Sequence, residues 1–142
     1  MSGALLLDTH IALWLDSGDH RLRSETRESI DGCWKSGGTI FLSAVTVWET
    51  ALLVDIGRVS LDLPVEDWVA RFAGRPGVEI APLTHIAAAQ AYRLHPLEHR
   101  DPADRLLIAT AIELDSALVT YDERIARFAE RYGGQYRFRV GT

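Results

Sequence analysis

Four acidic side chains occupy places in the sequence from which they could act together on one metal ion. Each either ends a predicted strand or lies in the first turn or so of a predicted helix, and they are Asp8, Glu49, Asp104 and Asp122. Clustered carboxylates repel one another, so one of them would keep its proton unless a cation were bound. Oxygen ligands without a cluster of His or Cys favour Mg²⁺ or Mn²⁺ over zinc. The set therefore predicts hydrolysis of a phosphodiester bond by metal-activated water.

The helix that carries Asp104 is indicated by its first residues. Pro102 suits the first position of a helix, where its missing N–H has no partner to lose. Asp101 would then be the N-cap and Asp104 the third helical residue. From residue 103 to residue 114 the sequence is apolar on most sides, which is typical of a buried helix. We expect this helix to be part of the core and to direct its acidic end towards the metal.

Strands and helices alternate along the rest of the chain. Strands are predicted at 4–7, 39–42, 78–81, 116–120 and 136–140, and helices at 10–15, 24–35, 43–56, 65–73, 85–94 and 125–132, with breaks at Gly37-Gly38 and Gly133-Gly134. This alternation predicts a single three-layer α/β/α domain over residues 1–142 with a mostly parallel central sheet. Ligands bind at the carboxyl edge of such sheets, where we expect the four carboxylates to converge.

Each carboxylate also has a purely structural interpretation. Acidic residues at helix N-termini are stabilised by the helix dipole by about 0.3–1 kcal/mol. The segment from Thr46 to Glu49 matches a capping box, and Asp101 and Asp104 could cap their own helix. However, Ser, Thr and Asn cap as well as Asp does, so capping alone does not explain four carboxylates at one edge.

The aromatic and histidine residues are interpreted as structural. Helical spacing predicts a buried stripe on the third helix, formed by Val45, Trp48, Leu52 and Ile56, and all of the tryptophans are predicted to pack in the core: Trp14, Trp34, Trp48 and Trp68. His10 and His99 neighbour acidic positions but lack the spacing of zinc ligands, which favours a role on the surface or beside the site.

Composition limits the class of protein further. A net charge of −5 argues against a broad cationic surface for nucleic acid, but not against an enzyme whose metal ions supply positive charge locally. No apolar run approaches the roughly 18 residues of a membrane span, and no basic segment precedes Leu5 as in a secretory signal. Cys33 is the only cysteine, which predicts no internal disulfide and a cytoplasmic location.

Four segments in order resemble the PIN-domain ribonucleases, and in particular the VapC toxins of type II toxin–antitoxin pairs. They are Leu-Leu-Leu-Asp-Thr-His at 5–10, Ser-Ala-Val-Thr-Val-Trp-Glu at 43–49, the Asp-Pro-Ala-Asp segment at 101–111 and Leu-Val-Thr-Tyr-Asp at 118–122. The resemblance covers nearly the whole chain and implies a metal-dependent endoribonuclease. By position it implies Asp8 and Asp104 as the main metal ligands, and it matches these further residues to the acidic set or its polar neighbours: Glu49, Asp122, Asp101, Thr9 and Thr120.

The resemblance also implies an RNA substrate, an antitoxin protein that blocks the site, and a homodimer. In one respect the chain departs from the family, because many relatives have a lysine shortly after the glutamate where this chain has Thr50-Ala51-Leu52-Leu53. Three arginines could replace that cation: Arg58, Arg100 or Arg105. A catalytically degenerate binding or regulatory module on the same fold is the alternative. A receiver-type phosphoacceptor domain is a third possibility. Such a site usually needs a lysine, and the only lysine of this chain, Lys35, lies in a predicted amphipathic helix.

Overall fold

The central sheet organises the molecule. A computed structural model describes residues 3–98 and 100–141, and in them five strands form one sheet in the order β3-β2-β1-β4-β5, with every neighbouring pair parallel. This confirms the predicted sheet and makes it entirely parallel. The strands are β1 (Ala4–Leu7), β2 (Thr39–Ser43), β3 (Val78–Ala81), β4 (Ala117–Val119) and β5 (Val140–Gly141).

Helices cover both faces of the sheet, which confirms the predicted three-layer α/β/α architecture. They are α1 (Thr9–Ser17), α2 (Ser24–Lys35), α3 (Ala44–Asp55), α4 (Val65–Ala73), α5 (His85–Gln90), α6 (Pro102–Glu113) and α7 (Glu123–Tyr136). Helices α1, α2 and α4 pack on one face, and α6 and α7 pack on the other. None of the helices in the described ranges is long and apolar enough to cross a lipid bilayer.

Successive residues of the short inner strands are buried on opposite faces of the sheet. Leu6 and Leu118 pack against α6 and α7, whereas Leu7 and Val119 pack against α1 and α4, and all four side chains are fully buried. Burial of each such side chain stabilises the fold by about 1.5–3 kcal/mol. The continuous apolar runs of the sequence are thus strands buried on both faces, as is usual in parallel sheets.

The strand order creates a crevice between β1 and β4. The chain moves from β1 to β2 and β3 on one side and then crosses to β4 on the other side of β1. Ligands of parallel α/β folds bind at such a reversal, beyond the carboxyl ends of the strands. Asp8 directly follows β1, and its backbone N–H donates to the carbonyl of Val119 in β4 over 3.0 Å.

The predicted break at Gly133-Gly134 and the predicted strand at 136–140 are wrong. Helix α7 continues through both glycines to Tyr136, and β5 consists of only Val140 and Gly141, which both pair with β4. Gly133 is buried, and a Cβ there would lie 2.5 Å from the carbonyl oxygen of Phe138. The chain reverses at Arg137, at φ 55°, and the Phe138 N–H donates to the Gly133 carbonyl. Gly133 therefore makes room for the returning chain.

The predicted buried stripe on α3 is wrong in all but its first residue. Val45 is buried, but Trp48 is 59% exposed, Leu52 42% and Ile56 53%. The inward face of α3 carries Thr46 and Thr50 instead, both fully buried. The hydroxyl of Thr9 donates to that of Thr46, at 3.3 Å, and this contact lies beside the crevice. The helix is therefore rotated so that a polar face meets the crevice and an apolar face meets solvent.

Two further details of the sequence interpretation change. Ser43, rather than Thr46, caps α3, because its hydroxyl accepts from the Val45 N–H, so the predicted capping box does not form and Glu49 lies in the second turn. Of the tryptophans, only Trp68 is buried in the core as predicted; Trp14 is half-buried, and Trp34 and Trp48 are exposed. The Trp68 indole N–H donates to Asp16.

Candidate active site

A cleft at the carboxyl ends of β1 and β4 collects the acidic residues. Its volume is about 310 Å³. All four predicted acidic residues and Asp101 line it, together with His10, Ile11, Trp14, Tyr121 and Arg124. The pairing of β1 with β4 thus brings together residues as far apart in the sequence as Asp8 and Asp122. The structure brings the residues together, and their catalytic roles stay a prediction. His99 lies outside the described residues.

Asp8 is held by hydrogen bonds to both of its carboxylate oxygens. Oδ1 accepts from the Thr9 N–H over 2.8 Å, and Oδ2 accepts from the hydroxyl of Thr120 over 2.7 Å. Burial raises the pKa of Asp8, these two hydrogen bonds lower it, and the charge of Asp122 raises it further, with a net upward shift. The carboxylate is therefore oriented by its neighbours but poorly solvated.

Glu49 reaches the same cleft from α3. Its pKa is raised, first by burial and then by the charges of Asp8 and Asp101, while the Thr9 hydroxyl opposes the shift. The mutual effect of these carboxylates shows that the cleft concentrates negative charge. A bound cation would relieve this repulsion and favour the charged form of Glu49.

The other three carboxylates lie at helix N-termini, as the sequence predicts. Asp101 caps α6 by accepting from the N–H of Asp104, at 3.2 Å, and Asp104 is the third helical residue. Asp122 caps α7 by accepting from the N–H groups of Arg124 and Ile125, at 2.8 and 3.2 Å. Capping and lining the cleft are therefore compatible, because the same helix ends point their acidic caps into it.

Thr120 links the carboxylate of Asp8 to the backbone of Asp122. Its hydroxyl donates to Asp8 and accepts from the backbone N–H of Asp122, at 3.1 Å. Thr9, fully buried, contacts Asp8 through its backbone and Thr46 through its hydroxyl. Both threonines thus lie beside the acidic residues, at the positions that the resemblance implies.

The arginines are arranged differently from the sequence interpretation. Arg105 is buried and donates to the carbonyls of Ala91 and Leu97, at 3.0 and 2.7 Å, so it fastens the 91–97 segment. Arg105 and Arg100 are absent from the described cleft lining, and Arg58 lines a neighbouring groove. Arg124 lines the cleft instead. Its place two residues after Asp122, in the first turn of α7, was a signal that the sequence analysis missed.

The donor set suits a hydrated ion better than a closed cage. Within residues 3–98 and 100–141, no three His, Cys, Asp or Glu side chains are arranged so that they could hold a metal ion. Mg²⁺ usually takes only one or two protein carboxylates and keeps several waters, so it does not need such a cage. The separate carboxylates of the cleft fit that kind of binding.

The parallel sheet and the acidic cleft at its switch point are features of a PIN domain. The PIN domain family model matches residues 5–131, and the chain belongs to this family. It is 34% identical to Ribonuclease VapC22 of Mycobacterium tuberculosis over 121 residues, which are 85% of this chain and 88% of that protein. The resemblance to PIN-domain VapC proteins seen in the sequence is thereby confirmed.

Two solved structures share the fold. VapBC2 from Rickettsia felis, bound to a DNA fragment from its promoter, has a TM-score of 0.64 at 18% identity, over 88% of this chain and 92% of that one. FitAcB from Neisseria gonorrhoeae has a TM-score of 0.53 at 23% identity, over 89% of this chain and 93% of that one. At these identities the likeness shows the α/β/α fold.

Proposed function

We propose that this chain is a metal-dependent endoribonuclease and the toxin of a type II toxin–antitoxin pair. The observation that carries the proposal is the convergence of five carboxylates in one cleft at the switch point of the sheet. Capping accounts for single residues of this set but not for their convergence. The relationship to a VapC ribonuclease supports RNA as the substrate.

Asp8 and Asp104 would hold Mg²⁺ or Mn²⁺, and Glu49 and Asp122 would contribute through water. When bound, the ion supplies an activated water at neutral pH and positive charge at the scissile phosphate. Burial raises the pKa of Glu49, and the charges of Asp8 and Asp101 raise it further, which supports this assignment because a bound cation would offset that negative charge.

The chain's own residues orient the reaction. Thr120 and the Thr9 N–H fix both oxygens of Asp8. Glu49 reaches the cleft from α3 and would position the attacking water. Arg124 lines the cleft and would supply the positive charge that a lysine supplies in many relatives, since this chain lacks that lysine.

A protein partner completes the proposal. The solved VapBC2 and FitAcB structures support an antitoxin partner for this chain as well. The exposed stripe of Trp48, Leu52 and Ile56 supports a protein interface, because such apolar surface is costly in water. The antitoxin, the homodimer and the cytoplasmic location remain our predictions.

Cleavage of RNA by matched variants tests the function. Asp8→Asn and Asp104→Asn should abolish cleavage and weaken Mn²⁺ binding, measured by calorimetric titration, while circular dichroism stays that of the wild type. Asp67→Asn is the control, because Asp67 is exposed on α4 and does not line the described cleft. Full activity of Asp8→Asn would refute the proposal.

The alternative function, a degenerate binding or regulatory module, predicts a different result from the same experiment. Such a protein would bind no Mn²⁺ near neutral pH, and the wild type and both cleft variants would be equally inactive on RNA. The nuclease is preferred because a cation, Arg124, lines the cleft despite the missing lysine.

A further inference from the structure

Helix α7 presents three arginines on one face. Arg124, Arg127 and Arg131 follow the spacing that places side chains on the same side of a helix, and together they line a cavity of about 330 Å³. With a rise of about 1.5 Å per residue, the three guanidinium stems are distributed over about 10 Å of helix. A polymer with regularly spaced charges could contact all three.

The guanidinium groups of these arginines make no ion pairs with the rest of the described chain. Among residues 3–98 and 100–141, none of the three guanidinium groups has a carboxylate within 4.0 Å or a side-chain hydrogen bond, and all three residues are exposed. Glu98 is the only acidic residue in the described lining of this cavity. In a chain of net charge −5, a local excess of positive charge on one helix face needs an explanation.

Two aromatic rings line the same cavity. Phe128 is buried, and the centre of its ring lies 5.9 Å from that of Tyr132. Such rings keep the guanidinium groups directed outward and leave an aromatic ring at the surface on which an unpaired base could stack.

The arginine face is continuous with the acidic cleft. Arg124 lines both cavities, so a chain that leaves the cleft past this residue runs directly along α7. The cleft itself repels phosphates until a metal is bound, because five carboxylates line it. A polyanionic substrate therefore needs positive charge outside the cleft to be held near it.

The other groove beside the cleft is a weaker candidate. It also contains arginines, but Arg71 and Arg75 form ion pairs with Asp16, and Arg21 pairs with Asp19 over 2.9 Å. These pairs neutralise most of its positive charge. Within the described residues, the arginines of α7 form no such pairs, so their positive charge is less compensated than that of this groove.

We propose that the face formed by Arg124, Arg127 and Arg131 binds the phosphate backbone of single-stranded RNA on one side of the scissile bond. The inference rests on the proposed function, because it assumes that the polyanion in the cleft is RNA. It adds the direction in which the strand leaves the cleft and a binding surface beyond the acidic residues. Single strands fit because the contacts are phosphates and one exposed ring, which do not require a duplex groove.

Salt-dependent binding tests the surface. The probe is a fluorescent oligouridylate of about 12 nucleotides, bound to the metal-free protein in EDTA so that cleavage is prevented. Arg127→Gln/Arg131→Gln should reduce the slope of log K against log salt by about 1.4, because each lost phosphate contact on a single strand contributes about 0.7. The same counterion release corresponds to about 25-fold weaker binding at about 0.1 M salt.

A charge-matched control lies in the opposite layer. Arg27→Gln/Lys35→Gln removes the same charge from α2, which packs on the other face of the sheet, so it should leave the slope unchanged. Thermal unfolding of both double variants should match the wild type, since none of the four side chains is buried. In the presence of Mn²⁺, the α7 variant should raise KM for RNA and leave kcat near that of the wild type, because neither residue lines the described cleft.

The outcomes separate this inference from the proposed function. If the α7 variant binds RNA with the salt dependence and affinity of the wild type, this face is not the RNA-binding surface, even if the wild type cleaves RNA. If the wild type binds RNA with a steeper salt dependence than the α7 variant but never cleaves it, the result would support the surface and overturn the nuclease. An α7 variant that keeps its RNA affinity but binds the antitoxin more weakly would overturn the surface and identify this face as a protein interface.

Discussion

The hydroxyl of Thr120 donates a 2.7 Å hydrogen bond to Oδ2 of Asp8, although the two residues are 112 positions apart. The bond links the ends of β1 and β4, the two strands between which the sheet changes direction. It also ties the cap of α1 to the segment that leads to Asp122, because the N–H of Asp122 donates to the same hydroxyl. One threonine thus contacts the carboxylate of one proposed metal-binding residue and the backbone of another.

Thr120→Val should weaken metal binding without unfolding the protein. The substitution removes the donor to Asp8 and the acceptor for the Asp122 N–H, and loss of such supporting contacts typically costs 10- to 100-fold in metal affinity. Calorimetric titration with Mn²⁺ measures the change. Thr120→Ser keeps the hydroxyl and is expected to bind within about threefold of the wild type. Equal Mn²⁺ affinity in the wild type and Thr120→Val would contradict this role.

Asp8→Asn should make the metal-free protein more stable near neutral pH. Burial raises the pKa of Asp8 above its ordinary value of 3.8, so the folded state binds this proton more tightly than the unfolded state does. The stability linked to that proton is fully present below pH 3.8 and is lost as the pH rises through the raised folded value. Asparagine does not titrate, so the variant escapes this loss.

Urea denaturation in EDTA, at about pH 4.5 and about pH 7.5, measures this effect. The free energy of unfolding of Asp8→Asn relative to the wild type should increase from the lower to the higher pH. The exposed Asp67→Asn serves as the control and should show no such trend. A relative stability of Asp8→Asn that falls with rising pH would show that the hydrogen bonds to Asp8 outweigh its burial.

Trp68 and Trp48 should differ strongly in their contribution to stability. Trp68 is 1% exposed and its indole N–H donates to Asp16, so Trp68→Ala should lower the free energy of unfolding by about 3–5 kcal/mol. Trp48 is 59% exposed, and Trp48→Ala should change the free energy by less than about 0.5 kcal/mol in the isolated chain. Urea denaturation at low protein concentration measures both. Similar losses would mean that Trp48 is covered in the folded protein.

The two adjacent glycines of α7 should respond to alanine in opposite directions. A Cβ at Gly133 would lie 2.5 Å from the Phe138 carbonyl oxygen, so Gly133→Ala should destabilise the protein by about 1–3 kcal/mol. Nothing lies within 4 Å of a Cβ at Gly134, so Gly134→Ala should stabilise it by about 0.5–1 kcal/mol through helix propensity. Thermal unfolding distinguishes them, and a stabilised Gly133→Ala would contradict the close approach of the returning chain.

The sequence alone determined the elements that carry the acidic residues. Alternating apolar runs predicted the parallel sheet, and Asp101-Pro102 predicted the start of α6 to the residue, because N-caps and a first-position proline are local features of the chain. Asp8 and Asp122 likewise cap the helices that follow β1 and β4. The family resemblance followed from these same segments.

Only the tertiary structure decided which way side chains point and which of them meet. The spacing of α3 predicted that Trp48 and Leu52 face inward, but Thr46 and Thr50 do, because the helix is rotated towards Thr9 at the crevice. Arg105 was a candidate for binding phosphate, and the 91–97 segment buries it, whereas Arg124 lines the cleft. Periodicity defines the faces of a helix, but only the neighbours that pack against it determine which face is buried.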